Sequence, residues 1–274
     1  MKIINLVENT PGIPNCGYEH GLSFYIETKN HKLLLDSGAT DLFLHNAKVL
    51  GIDLTRVDTM ILSHGHYDHG GGIPAFSRIN PNAHIYMKDS CLEDYYHLKP
   101  DGAKYIGIDK NIFKYKQCIQ VHGDLEIDGE LFLFTDITPR RYPAKGKLVL
   151  KKRVSGKYIQ DTFCHEQSLV ITQEGQRILL SGCAHSGILN ILDRYIEIFH
   201  SEPDMVISGF HMMQEEPYSK EEVENIRQIA CYLAEMNTIF YTGHCTGMAA
   251  FDIMKEIMGD KLRLIHSGET ILDV

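Results

Sequence analysis

The chain has 274 residues, a formal net charge of −9 at pH 7, 43% hydrophobic residues and 23% charged residues. These proportions are typical of a globular protein with an ample core, and the acidic balance argues against a nucleic-acid-binding protein. No apolar stretch approaches the length of about 18 residues that a membrane span needs, the start lacks a signal-peptide pattern, and no CxxC pair occurs. The length allows one large domain or two small ones. We expect a cytoplasmic protein with free thiols that binds neither membranes nor nucleic acid; the oligomeric state is left open.

The first ninety residues predict a β-meander followed by alternating helices and strands. Apolar runs bounded by turn residues indicate strands at residues 2–7, 21–28, 31–38, 57–62 and 83–87. Apolar residues at helical spacing indicate a short helix over residues 40–51, with Thr40 or Asp41 as its N-cap, and a second helix over residues 73–79.

The segment 61–74, with the sequence ILSHGHYDHGGGIP, carries the strongest functional signal. It concentrates four metal-ligand side chains: His64, His66, Asp68 and His69. Imidazole is the commonest metal ligand, and a carboxylate is a frequent partner. In an extended segment, alternation would place His64, His66 and Asp68 on one side and leave His69 to reach a second ion. A histidine-rich surface loop is the alternative, although residues 63–72 contain no Lys, Arg or Glu.

Residues 89–160 form the least regular segment, and we expect them to line the site. One strand is predicted in this segment, at residues 130–137. Residues 144–157 contain no acidic residue, and their positive charge favours contact with an anionic substrate; a solvated hairpin is the alternative. The basic residues in this stretch are Lys145, Lys147, Lys151, Lys152, Arg153 and Lys157.

The second half again places strands before helices. A hairpin is predicted over residues 168–182 with its turn near Glu174–Gly175, and strands follow at 204–210 and 238–243, with a closing segment at 262–271. Helices are predicted at 187–200, 219–236 and 247–259, the second with a capping box of Ser219 and Glu222. Because both halves share this order, we predict an α/β (α+β) layered fold with two sheets face to face and helices outside, in a single domain over residues 1–274.

Ligand-type side chains follow three apolar strands of the second half. Each strand is followed by a glycine and then by Cys183 and His185, by His211, or by His244 and Cys245. The mouth of a sheet is where layered folds place their chemistry. We therefore predict His185 and His244 as metal ligands, and His211 as either a ligand or a substrate-facing acid or base.

Four residues near these motifs stay open. His165 and Glu166 directly precede a predicted strand, and each is a candidate ligand. Cys183 offers a soft thiolate, which suits zinc and disfavours manganese or magnesium. His20 lies in a loop between two predicted strands and is a candidate for lining the site.

The segment SHGHYDHGGG resembles the HxHxDH signature of the metallo-β-lactamase superfamily. Over nearly its whole length, the chain is similar to one branch, the 7,8-dihydropterin-6-methyl-4-(β-D-ribofuranosyl)aminobenzene-5'-phosphate synthases and their unassigned bacterial relatives. The matching segments include ENTPG, EHGLSFYIET, HEQSLVI, SGCAHSGILNIL, ISGFHM and YTGHCTG. The resemblance implies an αββα sandwich with a site for one or two metals at one edge of the sheets.

The resemblance also implies a division of the ligands. His64 and His66 would bind the first ion, whereas Asp68, His69 and His244 would bind the second. The chain departs from the wider pattern at FCHEQS, where most relatives have GHxxGS, and at Gly182-Cys183, where most have Gly-Asp and the Asp bridges both metals. The carboxylate that bridges the two ions is then missing, unless Glu166 supplies one. Alternatively, the metal site is rebuilt around His185.

These expectations are compatible with three functions. The first is a metal-dependent hydrolase of a small anionic, phosphorylated ester or lactone, in which the ion activates a water and Asp68 orients it or takes its proton. The second is a transferase that condenses a dihydropterin diphosphate with ribofuranosylaminobenzene 5'-phosphate. The third is a non-catalytic or redox metal-binding protein. We expect one or two divalent ions, with zinc favoured over manganese, magnesium or iron, and a small-molecule substrate in contact with His211 and Glu166.

Overall fold

The computed structural model describes residues 1–138, 141, 149–214 and 217–273. Within them the strands are, in chain order, β1 (Lys2–Val7), β2 (Ser23–Glu27), β3 (Lys32–Leu35), β4 (Thr59–Ile61), β5 (His84–Lys88), β6 (Asp94–Lys99), β7 (Gly102–Tyr105), β8 (Cys118–Val121), β9 (Leu125–Glu126), β10 (Leu131–Phe134), β11 (Leu150–Val154), β12 (Lys157–Gln160), β13 (Ser168–Gln173), β14 (Gln176–Leu180), β15 (Met205–Ile207), β16 (Ile239–Thr242), β17 (Leu262–Leu264) and β18 (Thr270–Asp273). The α-helices of the same residues are α1 (Leu42–Val49), α2 (Tyr67–Gly70), α3 (Ile73–Ile79), α4 (Ile188–Phe199), α5 (Lys220–Glu235) and α6 (Met248–Met258). None of these helices is long and apolar enough to cross a membrane.

The described strands form two seven-stranded sheets and one four-stranded sheet. The first sheet has the order β18–β1–β2–β3–β4–β5–β8 and the second has the order β17–β16–β15–β14–β13–β10–β9. Strands β3, β4, β5 and β8 are parallel, as are β14, β15, β16 and β17. Parallel neighbours need a crossover connection, and the helices supply most of these connections on the outer faces.

Alternating side chains build three hydrophobic layers. In β3, Leu33 and Leu35 lie between the two sheets, whereas Leu34 packs under the helices of the first sheet. In β14, Leu180 lies between the sheets and Leu179 packs under α4, α5 and α6. Both faces of these strands are therefore buried, and the predicted αββα sandwich is confirmed.

The segment 89–160 is more regular than expected. Strands β6, β7, β11 and β12 form an antiparallel sheet in the order β12–β11–β6–β7. This sheet reaches residues 61–74, which we call the ligand loop. Just after β7, the carbonyl of Ile106 accepts from the amide of Tyr67 at 2.9 Å. Of the basic stretch, Lys145 and Lys147 lie outside the described residues, and Lys152 pairs with Glu93 at 2.7 Å. The described part of that stretch thus forms a hairpin, as the alternative predicted.

Candidate metal centre

The ligand-type side chains follow the carboxyl ends of parallel strands, which lie at one edge of a sheet. His64 follows β4 in the first sheet, and the second sheet contributes Cys183 after β14, His211 after β15 and His244 after β16. Stacking of the sheets brings these ends together. As a result, Nε2 of His64 lies 3.2 Å from Nε2 of His185, which is distant in sequence.

The ligand loop changes from extended to helical at His66. This residue has φ −100° and ψ 149° and precedes the one-turn helix α2, which contains Asp68 and His69. The expectation that Asp68 lies on the same side as the two preceding histidines is wrong, because alternation ends where the helix begins. Gly71 permits a close approach of the loop, since a Cβ there would lie 2.1 Å from the carbonyl oxygen of Ala39.

Four buried donors from the two halves converge, and we call them the Asp68 group: Asp68, His69, Cys183 and His244. Nε2 of His69 lies 3.1 Å from Sγ of Cys183 and 3.2 Å from Nε2 of His244. Oδ2 of Asp68 lies 3.4 Å from Nε2 of His244. In a tetrahedral zinc site, two ligand nitrogens are about 3.3 Å apart. The donor types and spacing of this group therefore fit a divalent ion.

A second set of donors, the His185 group, consists of His64, Cys183 and His185. Nε2 of His185 faces Nε2 of His64 at 3.2 Å, which is close to the spacing of about 3.3 Å between two nitrogen ligands of one zinc ion. Nδ1 of His185 is buried and has no hydrogen-bond partner among the described residues. The group lies beside the Asp68 group, with the ring centroids of His64 and His69 4.1 Å apart.

His66 lies apart from both groups. Its donor atom groups with those of Asp161 and His165, although its ring centroid is 4.7 Å from that of His185. Both ring nitrogens of His165 form hydrogen bonds: Nδ1 accepts from the amide of Gly65 at 2.9 Å, and Nε2 donates to Asp161 at 3.2 Å. Nε2 of His66 is buried and unpaired within the described chain. We therefore propose His66 as a ligand beside the His185 group and assign His165 a structural role.

Asp36 orients a histidine of each group, a role that the sequence did not reveal. Its carboxylate accepts from Nδ1 of His69 at 2.6 Å and from the amide and the hydroxyl of Ser63, each at 2.7 Å. The Ser63 hydroxyl lies 2.9 Å from Nδ1 of His64. Such hydrogen bonds fix the orientation of ligating histidines. The available signal was a carboxylate directly after a buried strand.

The loop after β1 supplies further support that sequence reasoning missed. Glu8 accepts from the amide of His244 at 2.5 Å, and Oδ1 of Asn9 accepts from Nδ1 of His244 at 2.8 Å. His20, an open candidate, comes to the site: its Nε2 lies 3.3 Å from Oδ2 of Asp68. Because the His20 side chain is 47% exposed, it lies at the solvent side of the Asp68 group.

Glu166 and His211, both expected to contact substrate, take different places. The two carboxylate oxygens of Glu166 accept from the amides of His185 at 2.6 Å and Ser186 at 2.9 Å. Glu166 is buried and holds the turn after β14 in this way, and its contact with substrate and its bridging carboxylate stay predictions. The half-buried ring of His211 lies 4.1 Å from that of His185, so a substrate-facing role stays a prediction.

The electrostatics of the two groups differ. Burial lowers the pKa of His64 and His185 well below the ordinary value, and it lowers the pKa of His66 to about 3. Burial also acts against protonation of His69, but the carboxylates of Asp36 and Asp68 outweigh it and raise the pKa of His69 to about 9. Neutral imidazole is the ligating form, and a cation bound to His69 would take the place of its proton.

Comparison with known proteins agrees with this fold. A family model of the metallo-beta-lactamase superfamily matches residues 17–218. The chain is 26% identical to the 7,8-dihydropterin-6-methyl-4-(beta-D-ribofuranosyl)-aminobenzene-5'-phosphate synthase of Methanocaldococcus jannaschii, over 99% of this chain and 96% of that protein. It is similar to Tm1679, described as a metal-dependent hydrolase of the beta-lactamase superfamily, with 30% identity and a TM-score of 0.84 over 100% of this chain and 99% of that chain. It shares its fold with Zn(2+)-bound PqqB from Methylobacterium extorquens, with 14% identity and a TM-score of 0.60 over 100% of both chains.

Proposed function

The chain belongs to the metallo-beta-lactamase superfamily, and on that premise we propose that it is a metal-dependent hydrolase of a small anionic ester or lactone. The observation that carries the proposal is the Asp68 group, in which buried nitrogen, oxygen and sulfur donors have the spacing of a metal site. The relative Tm1679, described as a metal-dependent hydrolase, supports the same reaction class. All seven cysteines are free, which supports a cytoplasmic location.

The residues of the Asp68 group and the His185 group, together with His66, would hold one or two divalent ions. Such an ion supplies a Lewis acid for the substrate oxygen and lowers the pKa of a water to about 7. Oδ2 of Asp68 faces both His244 and His20, which supports the proposal that the Asp68 carboxylate orients the attacking water and accepts its proton. His20 donates from Nε2 to the same oxygen and thereby fixes its direction.

The substrate is proposed to enter beside His20 and His211, which are less buried than the donors. Lys104 lies beside the ligand loop, since its Nζ is 3.5 Å from the hydroxyl of Tyr67. A lysine beside this loop and cations within the site would both favour a negatively charged substrate. This supports a phosphorylated ester over a neutral one.

The transferase reaction is a second candidate. It is favoured by the likeness to the archaeal synthase, which extends over 99% of this chain. The reaction would join a dihydropterin diphosphate to ribofuranosylaminobenzene 5'-phosphate with release of pyrophosphate. In both reactions a bound ion would stabilise developing negative charge, at the ester or lactone in hydrolysis and on the departing pyrophosphate in condensation. They differ in whether water or the aminobenzene compound is the acceptor.

Screening of the metal-reconstituted protein separates the candidates. The panel contains phosphodiesters, lactones and the pterin pair, with His244→Ala as the test variant and His84→Ala as the matched control. His84 is an exposed histidine at the amino end of β5, opposite the site. We expect hydrolysis by wild type and His84→Ala, and a loss of at least about 100-fold in His244→Ala, because a ligand matters more than the groups that orient it.

Each other outcome has a defined meaning. Condensation with pyrophosphate release, without hydrolysis, selects the transferase. Equal activity of wild type and His244→Ala across the panel contradicts both enzymatic candidates. Iron absorption bands in the freshly purified protein, together with an inert panel, would favour the redox alternative.

A further inference from the structure

One atom belongs to both donor groups, the Sγ of Cys183. Among the described residues, it lies within 4.8 Å of the donor atoms of His69 and His244 on one side and of His64 and His185 on the other. The Cys183 side chain is buried, with 2% of the residue exposed. Its sulfur therefore occupies the boundary between the two candidate ion positions.

The backbone holds Cys183 at this boundary. Gly182 lets the end of β14 approach the ligand loop, since a Cβ there would lie 2.2 Å from Oγ of Ser63. The carbonyl of Gly182 accepts from the amide of Gly209 at 2.8 Å, which ties the turn to the neighbouring strand. Ala184 then takes a left-handed φ of 51°, a conformation that costs energy in a non-glycine residue. This local geometry points to a functional constraint on the Cys183 position.

The ring nitrogens that converge beside Cys183 provide a second, independent indication of a ligand here. Nε2 of His64 lies 3.2 Å from Nε2 of His185. Nε2 of His69 lies 3.1 Å from Sγ of Cys183 and 3.2 Å from Nε2 of His244. Two nitrogen ligands of a tetrahedral zinc ion are about 3.3 Å apart, so the donors on both sides of the sulfur have the spacing of a metal site.

We propose that Cys183 binds as a thiolate shared between two divalent ions, one held by the Asp68 group and one by the His185 group. On binding, the S–H bond breaks, its proton leaves to the solvent, and the sulfur lone pairs form the bonds to the ions. Because thiolate is a soft ligand, the site prefers zinc or iron(II) to magnesium or manganese. The inference rests on the proposed function only in requiring that the chain binds metal.

Titration of the metal-free full-length chain with cobalt(II) tests this proposal, because a cobalt-bound thiolate gives a charge-transfer band in the near ultraviolet. In wild type, we expect the band to grow through two equivalents of cobalt per chain. In Cys183→Ser, the band disappears and cobalt binding weakens by more than about 100-fold, since a ligand is lost. In Cys183→Asp, two equivalents bind without the band, and the preference for cobalt over manganese falls by at least about tenfold.

Cys245→Ser is the matched control. Cys245 is also buried. Its Sγ lies within 4.8 Å of the Sγ of Cys183 and of a ring nitrogen of His211, but Cys245 belongs to neither the Asp68 group nor the His185 group. We expect Cys245→Ser to keep the band and both equivalents. Circular dichroism of each metal-free variant shows whether it has folded, and Cys183→Asp provides a second test if Cys183→Ser has not.

The failures of the two proposals are distinguishable. If wild type binds no cobalt, the proposed metal-dependent function fails. If wild type binds cobalt without the band, or if Cys183→Ser keeps the band, the thiolate ligand is wrong while metal binding stands. If the band is complete after one equivalent of cobalt, Cys183 does not bind both ions. If the band is lost in Cys245→Ser, the ligand is Cys245 and not Cys183.

Discussion

Histidines lie at both edges of the sandwich, but they have different partners. At the amino ends of β3 and β4, His31 lies 2.9 Å from Asp58 through Nδ1 and 2.5 Å from Asp128 through Nε2. Asp128 belongs to the hairpin of β9 and β10, so this His31 clamp links the two sheets. At the carboxyl ends, the ring nitrogens of His64 and His185 face each other instead.

This difference in partners distinguishes the structural His31 from the candidate ligands of the His185 group. Burial alone would lower the pKa of His31, but its hydrogen bonds to Asp58 and Asp128 raise it, so a protonated ring is stabilised. In the His185 group burial outweighs the nearby carboxylate of Asp68, and the pKa of His64 and His185 falls. In the His31 clamp, both ring nitrogens have a carboxylate partner. In the His185 group, neutral ring nitrogens face each other and can bind a cation between them.

The largest expected effect is on stability in the presence of metal. With zinc at one hundred times its dissociation constant, wild type should gain roughly 5–10 °C in Tm, because the ion binds only the folded state. His244→Ala should lose this gain and His31→Gln should keep it. Differential scanning fluorimetry with zinc and then with a chelator measures both variants. The same gain in His244→Ala would remove the distinction between the two edges.

A smaller effect compares two carboxylates that each pair with Nδ1 of a histidine. Asp36→Asn should weaken zinc binding by about 10–100-fold, because His69 loses the group that orients it. Asp58→Asn alters the His31 clamp and should leave zinc affinity unchanged. Competition with a chromophoric chelator gives both affinities. If the two variants weaken zinc binding equally, the effect of Asp36 is a general loss of structure.

The smallest effect is the pH dependence of the His31 clamp. The folded pKa of His31 is raised, so its charged ring stabilises the fold fully below the ordinary pKa of about 6.5, and this stability is lost as pH rises through the folded value. Wild type should exceed His31→Gln by at most about 1 kcal/mol near pH 5.5, since the three side chains are partly exposed.

Urea denaturation of wild type and His31→Gln across the pH range measures this difference. The gap should shrink as the solution becomes alkaline. His84→Gln is the control, because His84 is exposed at the same edge of the first sheet. A gap that stays constant with pH would mean that the folded ring is not charged.

The layered fold was predictable because its signals are local. Alternating leucines in β3 and β14 mark strands buried on both faces, and the capping box of Ser219 and Glu222 forms as predicted. The four-stranded sheet was missed for a physical reason. Strands β7 and β12 expose every residue, so they carry no alternation of apolar and polar side chains that sequence reasoning can detect.

Local patterns in the chain were enough to show which side chains follow each strand, because strand ends and helix starts are set by neighbouring residues. The stacking of the two sheets determines that Cys183 lies between two donor groups, that His66 stands apart and that Glu166 turns inward to the backbone. These contacts join residues from two sheets, and their distances depend on how the sheets stack. A local pattern can place a ligand at an edge, but packing between the sheets selects its partners.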